Sequence, residues 1–323
     1  MNDWLQLAGG GLLLYFGAGW FVGGASSLAL ALRVPQILVG LTVVAYGTSA
    51  PEIIVGVEAA ASGYGSVAIG NVVGSNIANI GLILGLTSLI KPPRVLRELR
   101  RRELPVLLAS GLVVPLLLLD GEVGPFEASA LLVCAFSYTA FMIRAARTAS
   151  MSGVTKEAKI TAEAADAAGA PGTTGKLRAA VVLAVGLATL LVGGRVFIDG
   201  AVSVARVLGM SERLVGLTIV AIGTSLPELV TSLIAARRGH SDLAVGNVIG
   251  SNIFNTFLCL GAARLAGPVT TSTAGLVADM VALVGMTALA AAFIRSERTI
   301  SRDEGALVLF FYVAFMAFVI NRG

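Results

Sequence analysis

Two hexapeptides, Gly47-Thr48-Ser49-Ala50-Pro51-Glu52 and Gly223-Thr224-Ser225-Leu226-Pro227-Glu228, each set a carboxylate directly after a proline and behind a pair of hydroxyls. Proline inside a helix cannot donate to the carbonyl four residues back, and its ring crowds that turn. In an apolar segment each motif therefore predicts a break that frees the carbonyls of Gly47, Thr48, Gly223 and Thr224. Further along, GNVVGSNIAN (70–79) and GNVIGSNIFN (246–255) add oxygens. Ser75 and Asn79 lie four apart on one helical face, as do Ser251 and Asn255. Asn71, Asn76, Asn247 and Asn252 read as caps or interhelical bonds, and Gly70, Gly74, Gly246 and Gly250 as points of close helix approach. The ligand set is hard oxygen without Cys or His, suited to calcium, with six to eight oxygens at about 2.3–2.6 Å, or to sodium. The bland alternative is a neutralised carboxylate pair or a salt bridge, for which only Arg195 sits at matching depth. His240, the single histidine, reads as a solvated loop residue.

Elements that position such groups must be membrane helices. The chain is 56% hydrophobic and 13% charged, with mean hydropathy +0.88, far from the quarter-charged composition of soluble domains. Apolar runs of about 20 residues, the length that spans a bilayer, recur ten times. They cover about 5–31, 37–61, 66–90, 105–119, 127–143, 179–200, 213–236, 242–267, 274–294 and 305–320. Continuous apolar runs exclude a transmembrane barrel, which would alternate. The first run lacks a basic leader region and an Ala-x-Ala site, so an uncleaved helix is expected. Cys134 and Cys259 fall inside spans and read as small hydrophobes. An acidic side chain at such depth costs about 2.5–3.5 kcal/mol on insertion scales, so two at equivalent places call for a function.

The places are equivalent because the chain is duplicated. Residues 40–85 align without a gap on 216–261 at an offset of 176, with 25 of 46 positions identical. The offset also maps Gly24 on Gly200 and Glu103 on Asp279, so the expected organisation is a five-helix unit over 1–147, a linker over 148–176 and a second unit over 177–323. Five spans enter from one face and leave at the other, so the copies are expected in inverted topology, with a binding site near the midplane. The linker, rich in Ala, Gly, Ser and Thr, reads as flexible. Of the 23 Lys and Arg, 18 fall in loops after odd-numbered spans, four on the other side, and Arg195 within a span. The positive-inside rule places both termini outside the cytoplasm and the linker inside. This asymmetry also accounts for the basic stretch 91–102 and for the high pI without nucleic acid. No enzyme motif, organic cofactor or obligate protein partner is indicated, and the lipid bilayer is the expected surrounding.

These duplicated motifs resemble the alpha-1 and alpha-2 repeats of the cation/calcium exchanger superfamily, particularly prokaryotic sodium/calcium exchangers. The resemblance implies an all-α membrane fold of about ten helices and sodium-for-calcium antiport by alternating access. It implies calcium binding by Glu52 and Glu228 with the carbonyls of Thr48 and Thr224. Sodium contacts would come from Ser75, Ser251 and the carbonyls of Ala45 and Ala221, with Ser49 and Ser225 in support. Many such exchangers carry an aspartate at the position of Asn79 or Asn255. Amides at both leave the counter-ion open, with proton/calcium antiport as the alternative to sodium.

Overall fold

The computed structural model describes all residues except 1–2, 94, 96–98, 153–172, 211–220, 272, 297–298 and 323. The side chains of 149–152, 173–174, 221, 273–275, 296 and 322 are likewise outside the description. Most of the 148–176 linker and the first part of the expected 213–236 span therefore lie outside the described residues. The chain is helical: α1 (Asp3–Leu32), α2 (Gln36–Thr48), α3 (Ala50–Ala61), α4 (Gly65–Ile90), α5 (Leu104–Leu117), α6 (Pro125–Ser152) and α7 (Thr173–Val207) come first. They are followed by α8 (Leu226–Arg237), α9 (Ser241–Ala266), α10 (Thr273–Ser296) and α11 (Arg302–Arg322). Seven described helices are long and apolar enough to cross a membrane, and α2 with α3 forms an eighth span bent by 42°. Helix α5 has only 14 residues, extended at its start by a π-helical turn over Leu99–Glu103.

Burial orders these helices into a centre and a rim. Within their most apolar stretches, α9 is 94% buried and α4 72%, against 17% for α11. The two helices carrying the second motif of each repeat are thus the core, and rim helices such as α6 and α11 turn Phe126, Phe136, Phe310 and Val313 outward. An apolar exterior of this kind is what a lipid surrounding requires.

Helices α1 and α7 pack through a ladder of glycines spaced seven apart. A Cβ on Gly10, Gly17 or Gly24 would fall within 2.4–2.5 Å of the backbone of Phe197, Leu190 or Leu183. Reciprocally, Gly186, Gly193 and Gly200 receive Phe21, Leu13 with Leu14, and Leu7. Each close pair shares one index sum, 207, when Gly193 is matched with Leu14, so the helices run antiparallel. Small residues let membrane helices approach to backbone contact, where dispersion rather than the hydrophobic effect holds them. Every step of the ladder maps on another at the repeat offset, glycine on glycine and large residue on large residue.

Other contacts keep the same correspondence. Helices α3 and α8 both end in a Schellman turn with a left-handed glycine, Gly63 (φ 82°) and Gly239 (φ 87°). There Tyr64 N donates to Ala59 O at 2.8 Å and His240 N to Ala235 O at 2.8 Å. Connections expected on one side of the membrane meet one another. Strand β1 (Glu122–Val123) pairs antiparallel with β2 (Val269–Thr270), and Ile300 N donates to Pro93 O.

Two expectations about small and polar residues change. Gly246 and Gly250 do face close backbone, at Ile37 O, Leu41 O and the Ala45 Cβ, whereas a Cβ on Gly70 or Gly74 would meet no described atom within 4 Å. His240 is half-buried, not a free loop residue: its Nδ1 lies 2.9 Å from Gln36 Oε1, and Gln36 Nε2 donates to Ser26 Oγ. Burial, then the charges of Arg238 and Lys91, hold the imidazole pKa below its ordinary value.

Overpacking a close helix contact costs about 1–3 kcal/mol. Gly17→Val should therefore lower the unfolding temperature of the purified protein markedly, while Gly9→Val, where a Cβ meets nothing described within 4 Å, should leave it within error. A thermal melt in detergent compares them.

Candidate functional site

Each glutamate stands at the start of a helix. The bend falls at Ser49 (φ −80°, ψ 4°), so Pro51 occupies the first turn of α3, where its missing N–H costs nothing. Ser225 (φ −88°, ψ 8°) repeats this before Pro227 and α8. Glu52 and Glu228 therefore sit in first turns, where the exposed N–H groups favour a carboxylate by about 0.3–1 kcal/mol, more when partly buried. The expected breaks are present, each as the start of a new helix. They differ in detail: Ser49 N donates to Ala45 O, four back, and Ser225 N to Ile222 O, three back.

The two motifs are then cross-linked. Ser49 Oγ donates to Glu228 Oε1 at 3.1 Å, and Ser225 Oγ donates to Glu52 Oε1 at 3.2 Å. Both serine-glutamate pairs join one repeat to the other and map on each other at the offset of 176. Ser75 adds a third hydroxyl, 3.2 Å from Ser225 Oγ and 3.5 Å from Glu52 Oε1. Ser49, Glu52, Ser75, Ser225 and Glu228 thus form one cluster, and each is at most 2% exposed.

Asparagines at the second motif bond across helices, two of them to the glutamates' own carbonyls. Asn71 Nδ2 donates to Glu52 O at 3.0 Å, and Asn247 Nδ2 lies 3.5 Å from Glu228 O. Asn247 also receives Thr48 Oγ1 on its Oδ1 and donates to Ser232 Oγ. Asn76 Nδ2 donates to Thr256 Oγ1, and Asn252 Nδ2 to Asn76 O. All four are the structural residues the sequence suggested. Because the Thr48 hydroxyl is turned to Val44 O and Asn247, its carbonyl is the oxygen left to offer. Thr224 is half-buried. Ala45 is buried with its carbonyl accepting from Ser49 N, and Ala221 belongs to a short helical turn, Ala221–Gly223.

Several buried oxygens have no protein hydrogen-bond partner: Glu52 Oε2, Glu228 Oε2, Ser251 Oγ, Asn79 Oδ1 and Asn255 Oδ1. The amide nitrogens of Asn79 and Asn255 are likewise unpaired; buried polar groups are nearly always paired, so an unpartnered oxygen on each of the two buried carboxylates fits a cation. No Lys or Arg hydrogen bond to either carboxylate occurs among the described residues, and Arg195 is exposed. Asn79 and Asn255 each open a π-helical turn, Asn79–Leu84 and Asn255–Cys259. Such turns widen a helix locally and are frequent at functional sites. Sequence periodicity gave no sign of them, nor of Cys259, whose thiol donates to Glu52 O at 3.1 Å.

Comparison with known proteins decides the family. A model described as "Sodium/calcium exchanger protein" matches residues 2–144 and again 178–321. The chain belongs to the sodium/calcium exchanger family. It is 38% identical to the putative antiporter CaxA of Alkalimonas amylolytica, over 94% of both chains. It is 30% identical to the sodium/calcium exchanger MaX1 of Methanosarcina acetivorans, over 97% of both. A solved structure of the sodium-calcium exchanger NCX_Mj, soaked with sodium and calcium, superimposes with a TM-score of 0.83 at 32% identity, covering 98% of this chain and 97% of that one. The family is one of transporters, and sodium and calcium are the ions it exchanges.

A hydrogen bond to a charged group contributes about 1.5–3 kcal/mol. Ser225→Ala, which removes contacts to both Glu52 and Ser75, should weaken calcium binding by about tenfold or more, and Ser49→Ala by less. Titration of the purified protein with calcium measures both.

Proposed function

We propose that this protein is a secondary antiporter that moves sodium against calcium by alternating access of two inverted five-helix halves, 1–147 and 177–323. The observation that carries this reading is the reciprocal pair Ser49–Glu228 and Ser225–Glu52, which ties the only motif carboxylates of both halves into one buried cluster. The antiparallel glycine ladder of α1 and α7 supports the inverted arrangement. The twofold family match with its two segments starting 176 residues apart supports the division into halves.

Glu52 and Glu228 supply the two negative charges that balance one calcium ion, joined by the carbonyls of Thr48 and Thr224. Ser75, Ser251 and the carbonyls of Ala45 and Ala221 hold sodium, with Asn79 and Asn255 between the two sets and Ser49 and Ser225 orienting the glutamates. Two carboxylates neutralise one divalent or two monovalent ions, so overlapping oxygens cannot hold both loads at once. A site near the bilayer midplane that exchanges its load before reorienting is the arrangement of inverted-repeat transporters. Both termini lie outside the cytoplasm and the linker inside, as the basic loops dictate.

Vesicles containing the protein should take up calcium when a sodium gradient is imposed, and Glu52→Gln or Glu228→Gln should reduce that uptake to background. Wild-type uptake in either variant would remove the carboxylates from the mechanism. Uptake that follows a pH gradient and ignores sodium would replace sodium by the proton.

A further inference from the structure

A buried carboxylate outside the cation cluster, Glu103, is 4% exposed and accepts the Tyr138 hydroxyl at 2.8 Å. Burying a charge is costly unless it is paired or hydrogen-bonded to advantage, so this contact calls for a role. Arg102 beside it is exposed and lies over the Phe141 ring at 6.0 Å. From Glu103 a continuous set of contacts runs inward. Tyr138 meets Phe254 edge to face, with centroids 5.7 Å apart, and the Phe254 and Tyr46 rings lie against each other at a 39° tilt, with centroids 3.9 Å apart. The Tyr46 hydroxyl then lies 2.6 Å from Thr139 Oγ1. The path closes on itself, because Tyr138 and Thr139 are neighbours on α6. Two adjacent side chains of a rim helix thus grip one aromatic from each repeat.

Those aromatics adjoin site residues: Tyr46 follows Ala45 on α2, and Phe254 precedes Asn255 at the start of a π turn. The grip is one-sided. At the repeat offset the places of Tyr46 and Phe254 hold Ile222 and Ala78, and, with the matching helix starts Pro125 and Arg302 aligned, the places of Tyr138 and Thr139 hold Phe315 and Met316, so this ring pair and its two hydroxyls are not repeated at the equivalent places. The serine-glutamate cross-links do not pass through it.

We propose that Glu103, Tyr138 and Thr139 are positioning residues for the monovalent counter-ion, clamping the Tyr46–Phe254 ring pair so that the Ala45 carbonyl and the Asn255 amide hold their places. This rests on the exchange reading above. The carboxylates keep their own side-chain hydrogen bonds from Ser49 and Ser225, so loosening the clamp perturbs the neutral oxygens of the counter-ion more than the carboxylates that capture calcium. A purely structural strut would instead weaken both ions together or lower only the maximal rate.

Tyr138→Phe and Thr139→Val remove one hydroxyl each, outside the ion site and with shape kept. In reconstituted vesicles each should raise the half-saturating sodium concentration about threefold to tenfold, the range that one net hydrogen bond supports. The half-saturating calcium concentration should stay within about twofold of wild type, consistent with carboxylates held by their own hydrogen bonds. Because both hydroxyls act through one ring pair, the double variant should fall short of the product of the single effects. Unchanged sodium dependence, parallel shifts for both ions, or a fall in maximal rate alone would overturn the proposal. Sodium-dependent thermal stabilisation of the purified protein, against choline as control, reads the same shift without transport. If wild type shows that stabilisation but no sodium-driven flux, the exchange reading fails while the clamp is still tested.

Discussion

Two carboxylates are held together inside an apolar protein with no basic partner among the described residues, and most of the architecture answers that constraint. Each acid alone would be expelled or neutralised, since isolated charge in a low-dielectric surrounding is costly. Helix starts at Pro51 and Pro227 aim N–H groups at the glutamates, and serines from the opposite repeat donate to them. These dipoles ease the cost without cancelling the charge. A lysine or arginine would have cancelled it, and the site would then have had no affinity left for a cation. The arrangement keeps the acids stable enough to be built while leaving Glu52 Oε2 and Glu228 Oε2 without a protein partner.

That balance needs the two halves in fixed register, and the register comes from surfaces without charge. In lipid, helices gain nothing from hiding apolar area, so contact geometry decides. The α1–α7 ladder of glycine against Leu or Phe supplies a seven-residue step repeated on both helices, so a slip of one residue sets large side chains against each other. At the core, Gly246 and Gly250 bring α9 to the backbone of α2. The serine-glutamate cross-links can span about 3 Å only because these contacts hold the backbones to within a fraction of that distance.

How much of this was legible in sequence follows from how local each feature is. The motifs, the duplication, the membrane class and the candidate oxygens were readable, because proline chemistry and hydropathy act over a few residues. Asn71, Asn76, Asn247 and Asn252 were read as caps or interhelical bonds, and all four do bond across helices. The π turns at Asn79 and Asn255 were not readable, because a shift in backbone hydrogen bonding leaves the side-chain pattern almost unchanged. Cys259 looked like filler inside an apolar run, and its contact with Glu52 O depends on a fold that brings distant helices together. His240 was read as solvated for the same reason, its partner Gln36 being far away in the chain. Of the glycine ladder, only the pair Gly24 and Gly200 stood out, since a lone glycine every seven residues is common in membrane helices.

Duplication explains why the site is paired, and departures from duplication explain why it is not symmetric. Equal halves would give equal surroundings to both glutamates and equal routes to both faces. This chain instead puts contacting aromatic rings at 46 and 254 where the repeat-related places hold Ile222 and Ala78, and a thiol at 259 where the other half has Ile83. The first break closes with a four-residue bond and the second with a three-residue one. Each difference leaves the serine-glutamate pairing intact and alters what lies beside it. A duplicated core whose pairing is kept while its flanks diverge places one shared serine-glutamate cluster between unlike walls.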